Sequence, residues 1–217
     1  MFRAMAVDSS VLLLLLLLSY SIIWSSSIML YNNISIAQHH HTHNGINVFL
    51  HLCISTSTMI QYRYQLRRGG DFSAAVSFYT KALEADPLHF KALFNRGFAQ
   101  DKLGLFTEAV ADYTRALRLE PQNAFAYYNR GISYDRQENF QKAYADFSEA
   151  IRLVPENADF YHNRAFCLRK MGEMREAITD YSRSLQIQPT HFKALHNRAY
   201  CLERLGEVEA AISDYCR

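Results

Sequence analysis

From Lys91 to Leu103, KALFNRGFAQDKL, and on through GLFTEAVADYTRALRLEP, apolar and small residues recur at intervals of three and four: Phe94 and Phe98, then Ala109, Tyr113 and Ala116. That spacing predicts two amphipathic helices. Gly104 between them predicts a turn. Pro121 predicts the end of the second helix, because proline lacks the backbone N–H and biases the residue before it away from the α conformation.

The same pattern returns along the chain. Pro87, Pro121, Pro155 and Pro189 are 34 residues apart, and the sequence between them is self-similar at that shift, which makes the repeat the organising feature of the fold. Units drawn to end two residues after each proline are 56–89, 90–123, 124–157, 158–191 and 192–217, the last shortened. Counted within a unit, small residues hold the eighth position (Gly97, Gly131, Ala165, Ala199) and the twentieth (Ala75, Ala109, Ala143, Ala177, Ala211). Large rings hold the twenty-fourth (Tyr79, Tyr113, Phe147, Tyr181, Tyr215), and Ala82, Ala116, Ala150 and Ser184 the twenty-seventh.

From about residue 70 to 217 this pattern resembles the tetratricopeptide repeat family, whose signature has an aromatic or Leu at four, Gly or Ala at eight, Ala at twenty, an aromatic at twenty-four, Ala at twenty-seven and Pro at thirty-two. Two departures stand out. Position seven, usually Leu, is Arg throughout, and TSTMIQYRYQLRRG (56–69) fits the first-helix pattern poorly. The resemblance implies an all-α fold, a right-handed α-solenoid of helix-turn-helix units with a concave groove lined by the first helix of each pair. Such arrays stack each unit mainly on its neighbours and use polar end units. Neither end here has that character, so the expectation is a fragment or short form of a longer array, less stable than a capped one.

Residues 1–65 form a second, unlike region. Between Asp8 and Arg63 there is no Asp, Glu, Lys or Arg. Residues 11–30 hold a seven-Leu run diluted by five serines, and three readings of this stretch stay open. Arg3, the Leu run and Ser35-Ile36-Ala37 fit a signal peptide loosely. A membrane anchor needs roughly 20 apolar residues, which 11–30 reaches only with its serines. An atypical leader without a fold of its own is favoured slightly, since soluble surfaces carry charge. Asn33-Ile34-Ser35 is a glycosylation sequon, relevant only in a secretory setting. His39, His40, His41 and His43 adjoin one another on an uncharged strip, a weak and unselective ligand set, so no metal is expected.

Composition narrows the classes further. A net charge of +2 directs the chain to neither nucleic acid nor an acidic membrane surface. Cys53, Cys167, Cys201 and Cys216 contain no CxxC pair and do not make a disulfide framework. Cys167 and Cys201 stand at position ten with Ala99 and Ser133 and read as small packing residues, which places the array in a reducing compartment such as the cytoplasm. There is no GxSxG, GxxxxGK[ST] or HExxH, so neither catalysis nor a cofactor is expected.

The first-helix wall is the remaining candidate. On a helix, positions 2, 5, 6, 9, 12 and 13 share a face. Three ladders follow: Asn95, Asn129, Asn163 and Asn197 at six; Phe98, Ile132, Phe166 and Tyr200 at nine; Lys102, Arg136, Lys170 and Arg204 at thirteen, with Phe94 and Tyr128 beside them at five. Asn pairs with peptide backbone, aromatic residues supply buried area, and the cations favour acidic groups. The plainer alternative is that these Asn residues only solvate the wall. The family's carboxylate clamp for chaperone C-termini is not matched. Phe94 and Phe98 stand where it needs Lys and Asn, and Asp159 and Asn163 where it needs Lys and Arg, although Lys193 matches one position.

Arg96, Arg130, Arg164 and Arg198 at position seven face the second helix instead. A guanidinium buried there needs a partner. Asp112, Asp146, Asp180 and Asp214 recur at position twenty-three wherever the Arg does, giving structural ion pairs within a unit or to the next one. The functional expectation is a protein-interaction scaffold that holds an extended or helical segment in its groove. Its rivals are the recognition arm of a larger enzyme and a membrane-tethered adaptor anchored through 11–30.

Overall fold

The computed structural model describes residues 71–217. Among them are nine helices and no strand: α1 (Phe72–Ala85), α2 (Phe90–Lys102), α3 (Phe106–Leu119), α4 (Ala124–Arg136), α5 (Phe140–Leu153), α6 (Ala158–Met171), α7 (Met174–Ile187), α8 (Phe192–Arg204) and α9 (Val208–Tyr215). α2–α3, α4–α5, α6–α7 and α8–α9 are the helix pairs of the 34-residue units, and α1 is the second helix of the unit before them. The irregular stretch 56–69 and the apolar run 11–30 lie outside the described residues. Among the described residues, no helix is long and apolar enough to cross a membrane.

Each first helix starts on a side-chain cap at the thirty-fourth position. Asn123 accepts from the Ala126 N–H and Asn157 from the Asp159 N–H, while the Nδ1 atoms of His89 and His191 accept from Ala92 and Ala194 at 3.1 and 3.2 Å. The caps satisfy donors that no preceding helical turn can reach, each worth about 1 kcal/mol. The proline two residues earlier ends one helix, and the cap starts the next. Within a unit the turn needs a left-handed residue, supplied by Gly104, Gly172 and Gly206 at φ 79°, 94° and 84°. At the same position in the second full unit stands Glu138, at φ 59°.

Packing follows the small-to-large alternation. Tyr79, Tyr113, Phe147 and Tyr181 are at most 1% exposed, and Tyr113 and Phe147 press into the gaps that Gly97 and Gly131 leave at position eight. At Gly131 that gap is essential, since a Cβ would stand 2.8 Å from the Phe147 ring. Burying each such ring contributes roughly 2–3 kcal/mol. Every helix packs on the one before it, and the first helices of successive units, α2 with α4, α4 with α6 and α6 with α8, also touch. Second helices of successive units make no equivalent approach, so the α-solenoid is tightest along the wall of first helices.

Candidate functional site

The helix pair explains why Asn and Arg, adjacent in sequence, do different work. About 100° of helical rotation separates them. Arg turns into the space between helices, while Asn stays on the wall.

Each Arg forms a three-helix joint. Arg130 Nε and Nη2 donate to the two carboxylate oxygens of Asp146 in its own unit, both at 2.7 Å, and Nη1 donates to Thr114 Oγ1 of the preceding unit at 3.0 Å. Arg96 repeats this with Asp112 and Thr80, Arg164 with Asp180 and Ser148, and Arg198 with Asp214 and Ser182. The carboxylate partner belongs to the same unit; the hydroxyl at position twenty-five carries the tie across the unit boundary. That hydroxyl was missed from sequence, though its recurrence as Thr80, Thr114, Ser148 and Ser182 is a signal that could have found it. Burial pushes the Asp146 carboxyl up and the guanidinium opposes it. The fork satisfies both oxygens at once, which a lysine could not do.

On the wall, the four Asn side chains are half-buried and partly engaged already. Asn95 and Asn129 donate to the carbonyls one turn back, Lys91 O and Phe125 O, at 2.8 and 2.7 Å. Asn163 uses both amide hydrogens, one on Asp159 O at 2.8 Å and one on the Tyr128 hydroxyl of the preceding unit at 3.0 Å. Asn197 approaches His162 Nε2 of its preceding unit at 3.2 Å. The ladder therefore keeps one carbonyl oxygen per unit, and a second N–H on Asn95, Asn129 and Asn197, for a ligand. Such oxygens accept N–H groups.

The residues around the ladder divide into two kinds. Phe94 packs on Phe90 and Tyr113, and Tyr128 on Phe147 and Phe160, so position five is inter-helix packing. Burial first, and then the Asp159 charge, push the Tyr128 phenol up to about 12, against the Asn163 hydrogen bond. His162 fills the same position one unit on. Burial and the neighbouring His191 hold it down to about 4, with Lys193 and Arg169 adding to the effect and Asp159 opposing it. Position nine reaches the surface: Phe98 lies beneath the Lys102 ammonium at 5.1 Å and Phe166 beneath that of Lys170 at 5.6 Å, while Tyr200 is 37% exposed. Arg136 and Arg204 project outward.

Position twelve lies on the same face of the first helix. Asp101 accepts from Ser133 Oγ of the next unit at 2.8 Å, and Asp135, pushed up by burial, keeps one oxygen without a partner among the described residues. Cys167, opposite Asp135, is pushed up to about 12 by burial and then by that carboxylate, which makes it a packing residue rather than a nucleophile. Among the described residues no cluster of His, Cys, Asp and Glu could hold a metal ion.

Comparison with known proteins agrees with this geometry. A tetratricopeptide repeat family model matches residues 90–123, 124–157 and 158–191, and a second tetratricopeptide repeat model matches 181–213. A crystal structure of MamA is similar at 28% identity and a TM-score of 0.66, over 69% of this chain and 87% of that one. The first repeat domain of Spaghetti (RPAP3), bound to the HSP90 peptide SRMEEVD, is similar at 26% identity and a TM-score of 0.53, over 54% of this chain and 93% of that one. YrrB, described as a repeat protein with an unusual peptide-binding site, shares the fold at 23% identity and a TM-score of 0.59, over 66% of this chain and 74% of that one. A search of the curated proteins gives no match.

Proposed function

Because the chain belongs to the tetratricopeptide repeat family, we propose that it works as a protein-interaction scaffold whose wall of first helices holds an extended or helical segment of a partner protein. The observation that carries this reading is the ladder of Asn95, Asn129, Asn163 and Asn197. Each amide nitrogen already makes at least one contact, while the Oδ1 atoms accept no hydrogen bond among the described residues. Backbone N–H groups of a bound segment are the natural complement, and they confer affinity without fixing its sequence. Phe98, Phe166 and Tyr200 supply apolar area between the rungs, with Lys102, Arg136, Lys170 and Arg204 along one rim. The RPAP3 domain is bound to the HSP90 peptide SRMEEVD; here Phe94 and Phe98 stand at clamp positions that require Lys and Asn, which argues against capture of a chaperone C-terminal carboxylate.

A displayed random-peptide library, selected on the full chain, tests the reading. Peptides should be recovered, and Asn95→Ala/Asn129→Ala/Asn163→Ala should weaken them at least about tenfold, as loss of two or three hydrogen bonds requires. The variant's helical content should be unchanged. Peptides that bind the variant as tightly as the parent chain would place recognition elsewhere.

A further inference from the structure

The five half-buried arginines of the first helices are not equivalent. Arg96, Arg130, Arg164 and Arg198 each face a carboxylate at 2.6 or 2.7 Å. Arg169, at position twelve of its unit, forms no ion pair among the described residues, and its buried Nε has no hydrogen-bond partner there. Its guanidinium lies 4.8 Å from the Phe166 ring centroid and 5.1 Å from that of Tyr200, one ring from its own unit and one from the next. The Tyr181 hydroxyl sits beside it without a well-formed hydrogen bond. The same position in the other units carries Asp101, Asp135 and Glu203, so the sign of the charge inverts at this one place along the wall.

An unpaired, half-buried guanidinium is costly unless something compensates it. Two aromatic faces offset part of that cost and also fix the plane of the fork, since a stacked guanidinium cannot rotate freely. Lys170 follows Arg169 directly in sequence, and Lys193 and Asp159 act with Arg169 on the same neighbour, His162. We propose that Arg169, held between Phe166 and Tyr200, is an anion-recognition subsite of the wall, taking the side-chain carboxylate of a Glu or Asp in the bound segment. A planar fork with a fixed orientation matches a planar carboxylate through two parallel N–H···O bonds. This subsite rests on the peptide-binding reading above and adds to it the acidic character of the ligand at one defined place. It lies one residue away from the exposed cations at position thirteen, which a sequence reading alone would have chosen.

Peptides from the library selection, acetylated and amidated so that no terminal carboxylate is present, provide the probes. Each is paired with a copy in which its acidic residue is replaced by Gln, and binding to the full chain is followed by fluorescence anisotropy. For at least one acidic position, Glu→Gln should weaken binding to the parent chain roughly tenfold or more. On Arg169→Gln the same swap should change affinity by less than about twofold. Arg169→Lys, which keeps the charge and loses the fork, should fall between the two. A merely structural Arg169 would weaken both peptides of a pair equally, so equal weakening overturns the subsite, as do selected peptides indifferent to every Glu→Gln swap. A chain that selects no peptide overturns the scaffold reading and this inference together.

Discussion

Arg130→Leu isolates what the three-helix joint contributes. The substitution leaves Asp146, 5% exposed, without the guanidinium that both its oxygens accept from. The stranded carboxylate then stays charged in a dry site or takes up a proton. Protonation sets the ceiling. From an ordinary value of 3.8, neutralising the group at pH 7 costs about 4 kcal/mol at 1.36 kcal/mol per unit. Truncating one partner of a buried pair costs about 3–5 kcal/mol, so the expected loss at pH 7 is about 3–4 kcal/mol. In the variant the folded-state pKa of Asp146 lies above the unfolded one. The folded state therefore binds the extra proton, and the deficit shrinks as pH falls, to under about 2 kcal/mol at pH 5. Arg130→Leu/Asp146→Leu, which removes both charges, should recover most of the loss, because an apolar replacement of a buried pair is often neutral. Urea denaturation followed by circular dichroism, at both pH values, measures all three proteins. A single-variant loss below about 1 kcal/mol, a loss independent of pH, or a double variant as unstable as the sum of the singles would refute the reasoning.

Two further outcomes follow from particular residues. Glu138 holds a left-handed conformation at φ 59° where the other units have glycine; Glu138→Gly should raise the urea midpoint by a net gain of roughly 0.5–1 kcal/mol, the strain relieved exceeding glycine's added chain entropy, and a lowered midpoint would contradict this. His162 is depressed from 6.5 to about 4 by burial, so the unfolded chain takes the proton first and stability drains away as pH falls from about 6.5 towards 4, reaching about 3 kcal/mol. His162→Tyr, which copies Tyr128, should remove most of that loss in melting curves compared between pH 7 and 4.5. Equal acid sensitivity in the two proteins would show that other groups govern it.

The 34-residue period, the helix pairs, the small-against-large packing of Gly131 on Phe147 and the separation of Asn from Arg were all readable in one dimension. Each depends on local periodicity, and periodicity repeated in several units reinforces itself. The sequence also pairs Arg with Asp by co-occurrence, but both a partner within the unit and one across it satisfy that pattern. Only the packed hairpin decided for the same unit, and only it revealed that Thr80, Thr114, Ser148 and Ser182 complete the joint from the unit before. Likewise, helical angles place Asn129 and Asn163 on the wall, but not what their amide nitrogens already hold. That depends on Tyr128 lying one unit away from Asn163, a distance set by stacking rather than by sequence separation. Arg169 is the sharpest case. Along the chain it is one more cation beside Lys170, and its lack of a carboxylate and its place between two rings exist only once neighbouring units are stacked. The sequence by itself thus determined the repeat, its helices and the face each residue occupies, because these follow from the geometry of one helix. Which partners those faces find was decided by tertiary structure, because burial and charge pairing are properties of the space between helices.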